Sequence, residues 1–164
     1  MMLMSRVAVT STLLALCLQA GCSTLSPYST LTKLDLKLTA GDEVNPDLHR
    51  RPSPVVVHLL ELRHPVAFEN ADFFSLYDRA EQTLPKDWVN SEELELRPGE
   101  QLALKLSVES RSRYVGVLAA YRDLPHVQWR LVLPLAPGQL TRAAVVLDQT
   151  GVRMAAPQTD AKED

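Results

Sequence analysis

Past residue 30, apolar side chains recur mostly at every second position, the spacing of strands with one face in a core. Leu34, Leu36 and Leu38 alternate with Lys33, Asp35 and Lys37. Residues 55–62 are more continuously apolar and predict a strand central in its sheet. Leu94 and Leu96 alternate with Glu93, Glu95 and Arg97, and Leu102, Leu104, Leu106 and Val108 alternate with Gln101, Ala103, Lys105 and Ser107. Between these runs stands Pro98-Gly99, a type II turn pair in which Pro fixes φ and Gly accepts a positive one. The pattern predicts a hairpin here. Residues 114–121 and 129–135 supply two more strands, joined through Asp123-Leu124-Pro125. Residues 143–147 and 152–154 close the series around Asp148-Gln149-Thr150-Gly151. About seven or eight short strands with regular turn signals and little helix predict an all-β fold, a sandwich of two antiparallel sheets.

One segment has the other period. Phe73, Leu76, Tyr77, Ala80 and Leu84 fall at helical spacing, and Asn70 or Asp72 can cap the start. This predicts a short helical insertion lying on the sandwich. Phe73, Phe74 and Tyr77 are expected to pack as core residues rather than bind a ligand, and Trp88 and Trp129 likewise.

The N-terminus follows neither period. Arg6 precedes an apolar run over residues 7–18, broken only by Thr10, Ser11 and Thr12, and Ala20-Gly21 leads into Cys22. A run this short, ending in small residues, reads as a cleaved export signal rather than a membrane span. Leu18-Gln19-Ala20-Gly21-Cys22 resembles the bacterial lipobox, whose cysteine becomes acylated. It departs from the pattern where Gln19 replaces the usual Leu. The alternative is an ordinary secretory peptide that contains Cys22. The expected organisation is a signal at 1–21, a lipidated tether at 22–30, a β-sandwich at 31–157 and a disordered tail at 158–164. Three acyl chains on Cys22, each buried methylene contributing about 0.8 kcal/mol, would make dissociation negligible. Ser23 follows in place of the Asp that typically retains lipoproteins at the inner membrane of enteric bacteria, which implies the periplasmic face of the outer membrane. With Cys17 lost in the signal and Cys22 acylated, no disulfide is expected.

Charge and motifs narrow the function further. The net charge is −3, becoming more acidic once Arg6 leaves, and no basic stripe carries interleaved aromatics, so nucleic acid is not an expected partner. His49, His58, His64 and His126 show no metal-ligand spacing, and His58 is expected as a hydrogen-bonded core histidine. The six glycines form no phosphate loop, and there is no GxSxG elbow. Glu93 and Glu95 share a solvated strand face rather than forming a catalytic carboxylate pair. No enzyme activity, small-molecule substrate or cofactor is expected beyond the covalent lipid on Cys22.

A loop stands out instead. Residues 40–53 exceed the usual hairpin connection and reach the length at which loops are commonly functional or disordered. They carry both signs of charge and two isolated apolar residues, Val44 and Leu48. An apolar anchor inside a polar rim is how a recognition patch is built. The competing reading is a mobile connection with no partner.

After the lipobox come three further segments: Pro54-Val55-Val56-Val57 leading to Leu60 and Leu62; Phe68-Glu69-Asn70-Ala71-Asp72-Phe73-Phe74-Ser75-Leu76-Tyr77; and Leu94-Glu95-Leu96-Arg97-Pro98-Gly99-Glu100. In order and spacing these resemble the TssJ (SciN) family, outer-membrane lipoproteins of the bacterial type VI secretion system. The resemblance implies a transthyretin-like β-sandwich with a helical insertion and no catalysis. It also implies binding of the periplasmic C-terminal region of the inner-membrane protein TssM, chiefly through the first interstrand loop. By position the expected partner-binding residues are Asp42, Glu43, Val44, Asn45, Pro46, Asp47, Leu48, His49 and Arg50. Two other classes compete. A lipid-anchored glycan- or peptidoglycan-binding module would need Trp88 and Trp129 exposed on one face. An envelope assembly factor would lend an edge strand to its clients.

Overall fold

The computed structural model describes residues 31–156. The signal segment, Cys22, the tether and the tail at 158–164 lie outside the described residues. The chain runs β1 (Thr32–Ala40), β2 (Val55–Leu62), α1 (Val66–Asn70), α2 (Phe73–Thr83), β3 (Trp88–Leu96), β4 (Gln101–Val108), β5 (Tyr114–Ala120), β6 (Arg130–Pro134), β7 (Leu140–Asp148) and β8 (Gly151–Met154). One sheet has the order β4-β1-β7-β8 and the other β3-β2-β5-β6. The two-sheet sandwich is therefore realised. Its strand pairs are antiparallel except β1 and β7, which run parallel with Lys33 opposite Leu140 and Ala40 opposite Leu147.

The expected hairpin across Pro98-Gly99 is not formed. β3 pairs with β2, setting Leu94 opposite Val57, while β4 crosses to the other sheet and sets Leu104 opposite Leu36. Gly99 has φ 76° and makes the corner. Alternation reports which face of a strand is buried, and that face points at the same core whether the next strand pairs alongside or lies across the sandwich.

Between the sheets lies the main core, built on Leu34, Leu36, Leu38, Val57, Leu96, Val117 and Leu147. The β3-β2-β5-β6 sheet is buried on both faces, because α1 and α2 cover its outer side through Leu60, Leu62, Phe68, Leu76, Leu84 and Leu118. This is why β2 reads as a nearly unbroken apolar run and sits centrally, as expected. Phe68 is fully buried against Gly116, where a Cβ would come within 2.8 Å of its ring; only glycine leaves room.

The helical segment forms where the spacing predicts it, with α1 as an additional turn. Asp72 is the cap of α2, its carboxylate accepting from Ser75 N at 3.0 Å, while the Asn70 amide donates to Val66 O within α1. Phe73, Leu76 and Tyr77 turn inward, but Phe74 is 65% exposed, contrary to its expected core role. It lies about 100° around the helix from Phe73, beyond the width of the apolar stripe. Trp88 and Trp129 are half-buried and packed against the cluster under the helices, Trp129 edge-on to Phe73 with centroids 5.3 Å apart. Arg130 straps α1 down: its Nη1 donates to Phe68 O at 3.0 Å and Ala71 O at 2.7 Å, and its guanidinium sits 4.3 Å above the Trp129 ring.

His58 is half-buried and stacked on Tyr77 at 4.6 Å. Its Nε2 lies 3.1 Å from Oε2 of Glu93, which stands opposite it on β3. Burial holds its pKa below the ordinary histidine value, and Glu93 opposes that shift.

Candidate functional site: the loop end of the sandwich

Because successive strands reverse direction, the β1–β2, β3–β4, β5–β6 and β7–β8 connections all gather at one end. The chain enters β1 at the other. Direct contacts join these loops: Gly41 N donates to Leu147 O at 2.8 Å, Arg122 N to Asn45 Oδ1 at 2.8 Å, and Gln128 N to Thr150 O at 3.0 Å.

The β1–β2 loop is a built structure rather than a slack connection. Its root is Val44 and Asn45. Val44 is fully buried and belongs to the main core. Asn45 is buried with φ 48°; its amide donates to Pro54 O at 2.7 Å and its carbonyl accepts from Arg122 N. The root thereby ties the loop to the strand that follows it and to the end of β5. The tip is closed on itself around Asp47. His49 N and Arg51 N donate to Asp47 Oδ1 at 2.8 and 2.9 Å, and Arg51 Nε and Nη2 reach Oδ2, each at 2.8 Å. The main-chain hydrogen bond from Arg51 is the largest cause that lowers the Asp47 pKa below the usual carboxylate value. Arg50 takes φ 60° to make the turn.

The expected contact residues therefore divide. Val44 and Asn45 are interior and present no side chain to a partner. Pro46 and Asp47 are half-buried, and Asp42, Glu43, His49 and Arg50 are exposed. Leu48 stands at the apex at 101% exposure, an apolar side chain entirely in solvent. The apolar anchor narrows from two residues to one.

Beside the tip lies a cleft of about 740 Å³, its walls formed by residues 45–49, by Tyr121 to Asp123 with His126 and Val127 from the β5–β6 connection, and by Gln149 and Thr150 from the β7–β8 turn. Tyr121 is a buried member of this lining. Its hydroxyl is buried without a hydrogen-bond partner among the described residues, and burial raises its pKa, with Asp148 adding to the shift. Asp123 Oδ1 and His126 Nδ1 are 2.7 Å apart at the rim, both well exposed. The Thr150 hydroxyl is engaged with Asp148 Oδ1 at 2.6 Å. Among the described residues, no group of three His, Cys, Asp or Glu side chains could hold a metal ion. A concave surface with an apolar apex and rim charges of both signs suits a polypeptide segment better than a reacting small molecule.

The second and third walls were not read from the sequence. The signal was available in strand parity: eight strands that alternate in direction put their odd-to-even loops at one end. Which of those loops meet depends on strand order, which alternation does not carry.

Fold and site together define a two-sheet β-sandwich with a built loop and a cleft at one end. Residues 32–150 match the T6SS-SciN family of type VI secretion lipoproteins (VasD, EvfM, TssJ). Among solved structures, the lipoprotein TssJ1 from Pseudomonas aeruginosa is similar, with 32% identity over 79% of this chain and 98% of that one and a TM-score of 0.74. Serratia marcescens Lip, a membrane-bound component of the type VI secretion system, is 28% identical over 76% of this chain and 98% of its own, with a TM-score of 0.67. A chain of a type VI membrane complex shares the fold at 23% identity over 77% and 99%, with a TM-score of 0.67. Among curated proteins, none matches significantly. The chain belongs to the type VI secretion lipoprotein family, in which the TssJ proteins stand.

Proposed function

We propose that this protein braces the type VI secretion membrane complex to the outer membrane. Acylated Cys22 holds it on the periplasmic face, and the loop end grips the periplasmic C-terminal region of a TssM-like inner-membrane protein. The family points to that partner. The observation that carries the bridging reading is the separation of the two ends. The chain enters at Thr32 and the built loop leaves β1 nine residues later, about 30 Å away at the rise of a strand. A load applied at the loop passes along β1, which is hydrogen-bonded on both sides to β4 and β7. The role is mechanical rather than catalytic.

Within the loop end, Leu48 is the anchor, and Asp42, Glu43, His49 and Arg50 form its polar surroundings. The cleft bounded by Tyr121, His126 and Thr150 extends the contact beyond the loop. The glycan-binding reading is less favoured, because Trp88 and Trp129 pack beneath the helices instead of forming an exposed platform.

The test is calorimetry of the mature chain against the periplasmic region of the co-encoded TssM-like protein. Saturable binding that Leu48→Asp weakens at least about tenfold, some 1.4 kcal/mol, supports the reading. Binding by a folded Leu48→Asp chain at unchanged affinity removes the tip from it. For the anchor, Cys22→Ser is expected to abolish outer-membrane recovery, measured by fractionation; normal recovery would sink the lipid assignment.

A further inference from the structure

The two sheets present different outer faces. That of β3-β2-β5-β6 is covered by α1 and α2. That of β4-β1-β7-β8 carries no covering element among the described residues, and its register brings cations together. Lys33 lies between Ser107 and Leu140; Asp35 lies between Lys105 and Arg142; Lys37 lies between Ala103 and Ala144. Arg153, opposite Val146, lies on the same face toward β8 but is paired with Asp148 at 2.7 Å, so the excess of positive charge rests on the lysines and Arg142. Lys33, Lys37, Lys105 and Arg142 are exposed, and Asp35, whose Oδ2 pairs with Arg142 Nε at 4.0 Å, offsets one of these four cations. The small Ala103 and Ala144 leave a shallow depression of about 410 Å³ around Lys37 and Lys105, which keeps the surface low.

This is a cationic face on a chain whose net charge is negative. The helix-bearing side carries exposed Glu69, Asp72, Asp78 and Glu81 against one exposed helix cation, Arg79. The cationic face also adjoins the entry of the chain: Leu31 is 54% exposed and Leu140, opposite Lys33, is 40% exposed. Cys22 lies nine residues before Leu31, so a lipid there holds this edge within about 30 Å of the headgroups.

We infer that the outer face of the β4-β1-β7-β8 sheet docks on an anionic phospholipid surface. The inference rests on the anchored reading for how the face is presented, and goes beyond it. Cations on one side and carboxylates on the other select which side of the sandwich meets the bilayer. Docking stops the domain from swinging on its tether and lays β1 along the bilayer, so that the loop end is offered sideways beneath the membrane, about 30 Å from the anchored edge.

Three of the five lysines lie on this face, at 33, 37 and 105, and Lys86 sits in the connection before β3 of the other sheet. The full acylated chain is reconstituted on phosphatidylcholine vesicles and on vesicles containing phosphatidylglycerol. It is then labelled with a membrane-impermeant amine reagent and read by mass spectrometry. Lys33, Lys37 and Lys105 are expected to label about fivefold more slowly relative to Lys86 on the anionic vesicles, and the difference should vanish at molar salt. Lys37→Glu together with Lys105→Glu, both at exposed positions, should abolish the protection of Lys33. Equal labelling on both lipids overturns the inference. Equal protection on both also overturns it, since a second copy or another protein would then cover the face.

Flotation separates this from the anchor. A chain that floats with both vesicle types but labels equally loses only the docking. One that floats with anionic vesicles alone and is protected there keeps the docking and loses the lipid anchor. One that floats with neither loses both.

Discussion

Val44 and Leu48 are four residues apart in one polar loop, and in the sequence they carry the same signal. In the structure they are opposites. Val44 is a core residue completing the end of the sandwich, while Leu48 projects from a turn clamped by Asp47 and Arg51. A loop long enough to look slack has a root that belongs to the fold and a tip that the fold displays. An exposed recognition residue needs such a root, because partner binding otherwise has to supply the entropy of ordering the loop.

That contrast can be broken by substitution. Val44→Asp puts a carboxylate into an apolar core and is expected to cost at least about 3 kcal/mol, enough to shift the urea midpoint strongly or to leave the chain unfolded. A stable Val44→Asp chain would mean that the root is not part of the core. Asn45→Ala removes two buried hydrogen bonds and an accommodating residue at positive φ. A loss of about 1–3 kcal/mol in the same unfolding assay is expected, with a loosened tip as its consequence. Leu48→Asp should move stability by less than about 0.5 kcal/mol, and any effect larger than that would show Leu48 to be structural.

The smallest effect concerns the clamp. The Asp47 pKa is lowered in the folded chain, so the stabilisation of the tip is complete above the ordinary carboxylate value of 3.8 and is lost as pH falls through the lower, folded value. The amide resonances of His49 and Arg51 should therefore titrate with a midpoint below 3.8, while those of Val44 stay fixed. A midpoint at or above that value would mean that the clamp is absent in solution.

The same logic explains what was legible beforehand. Strand positions and inward faces could be read because burial of one face imposes period two on the residues themselves. The α2 segment was legible through its 3.6-residue spacing and Asp72, its polar cap. Phe74 faces solvent because exposure on a helix follows the angle around its axis and not aromatic character. The Pro98-Gly99 hairpin failed for a different reason: a turn signal says that the chain reverses, not whether it returns within its own sheet. At the loop, length and mixed charge marked out the segment, but nothing local distinguished an apolar residue that plugs a core from one that faces water.

The sequence by itself determined the all-β class, the helical insertion and the family, because each is written in periodicity, capping or short motifs. Only the tertiary structure decided that β3 and β4 belong to different sheets, that β1 and β7 run parallel, and that Tyr121, His126 and Thr150 share a cleft with Leu48. It also brought Lys33, Lys37, Lys105 and Arg142 onto one face. These are relations between residues distant in the chain, and they follow from strand order, which depends on how the two sheets fill one core together rather than on any local stretch of sequence.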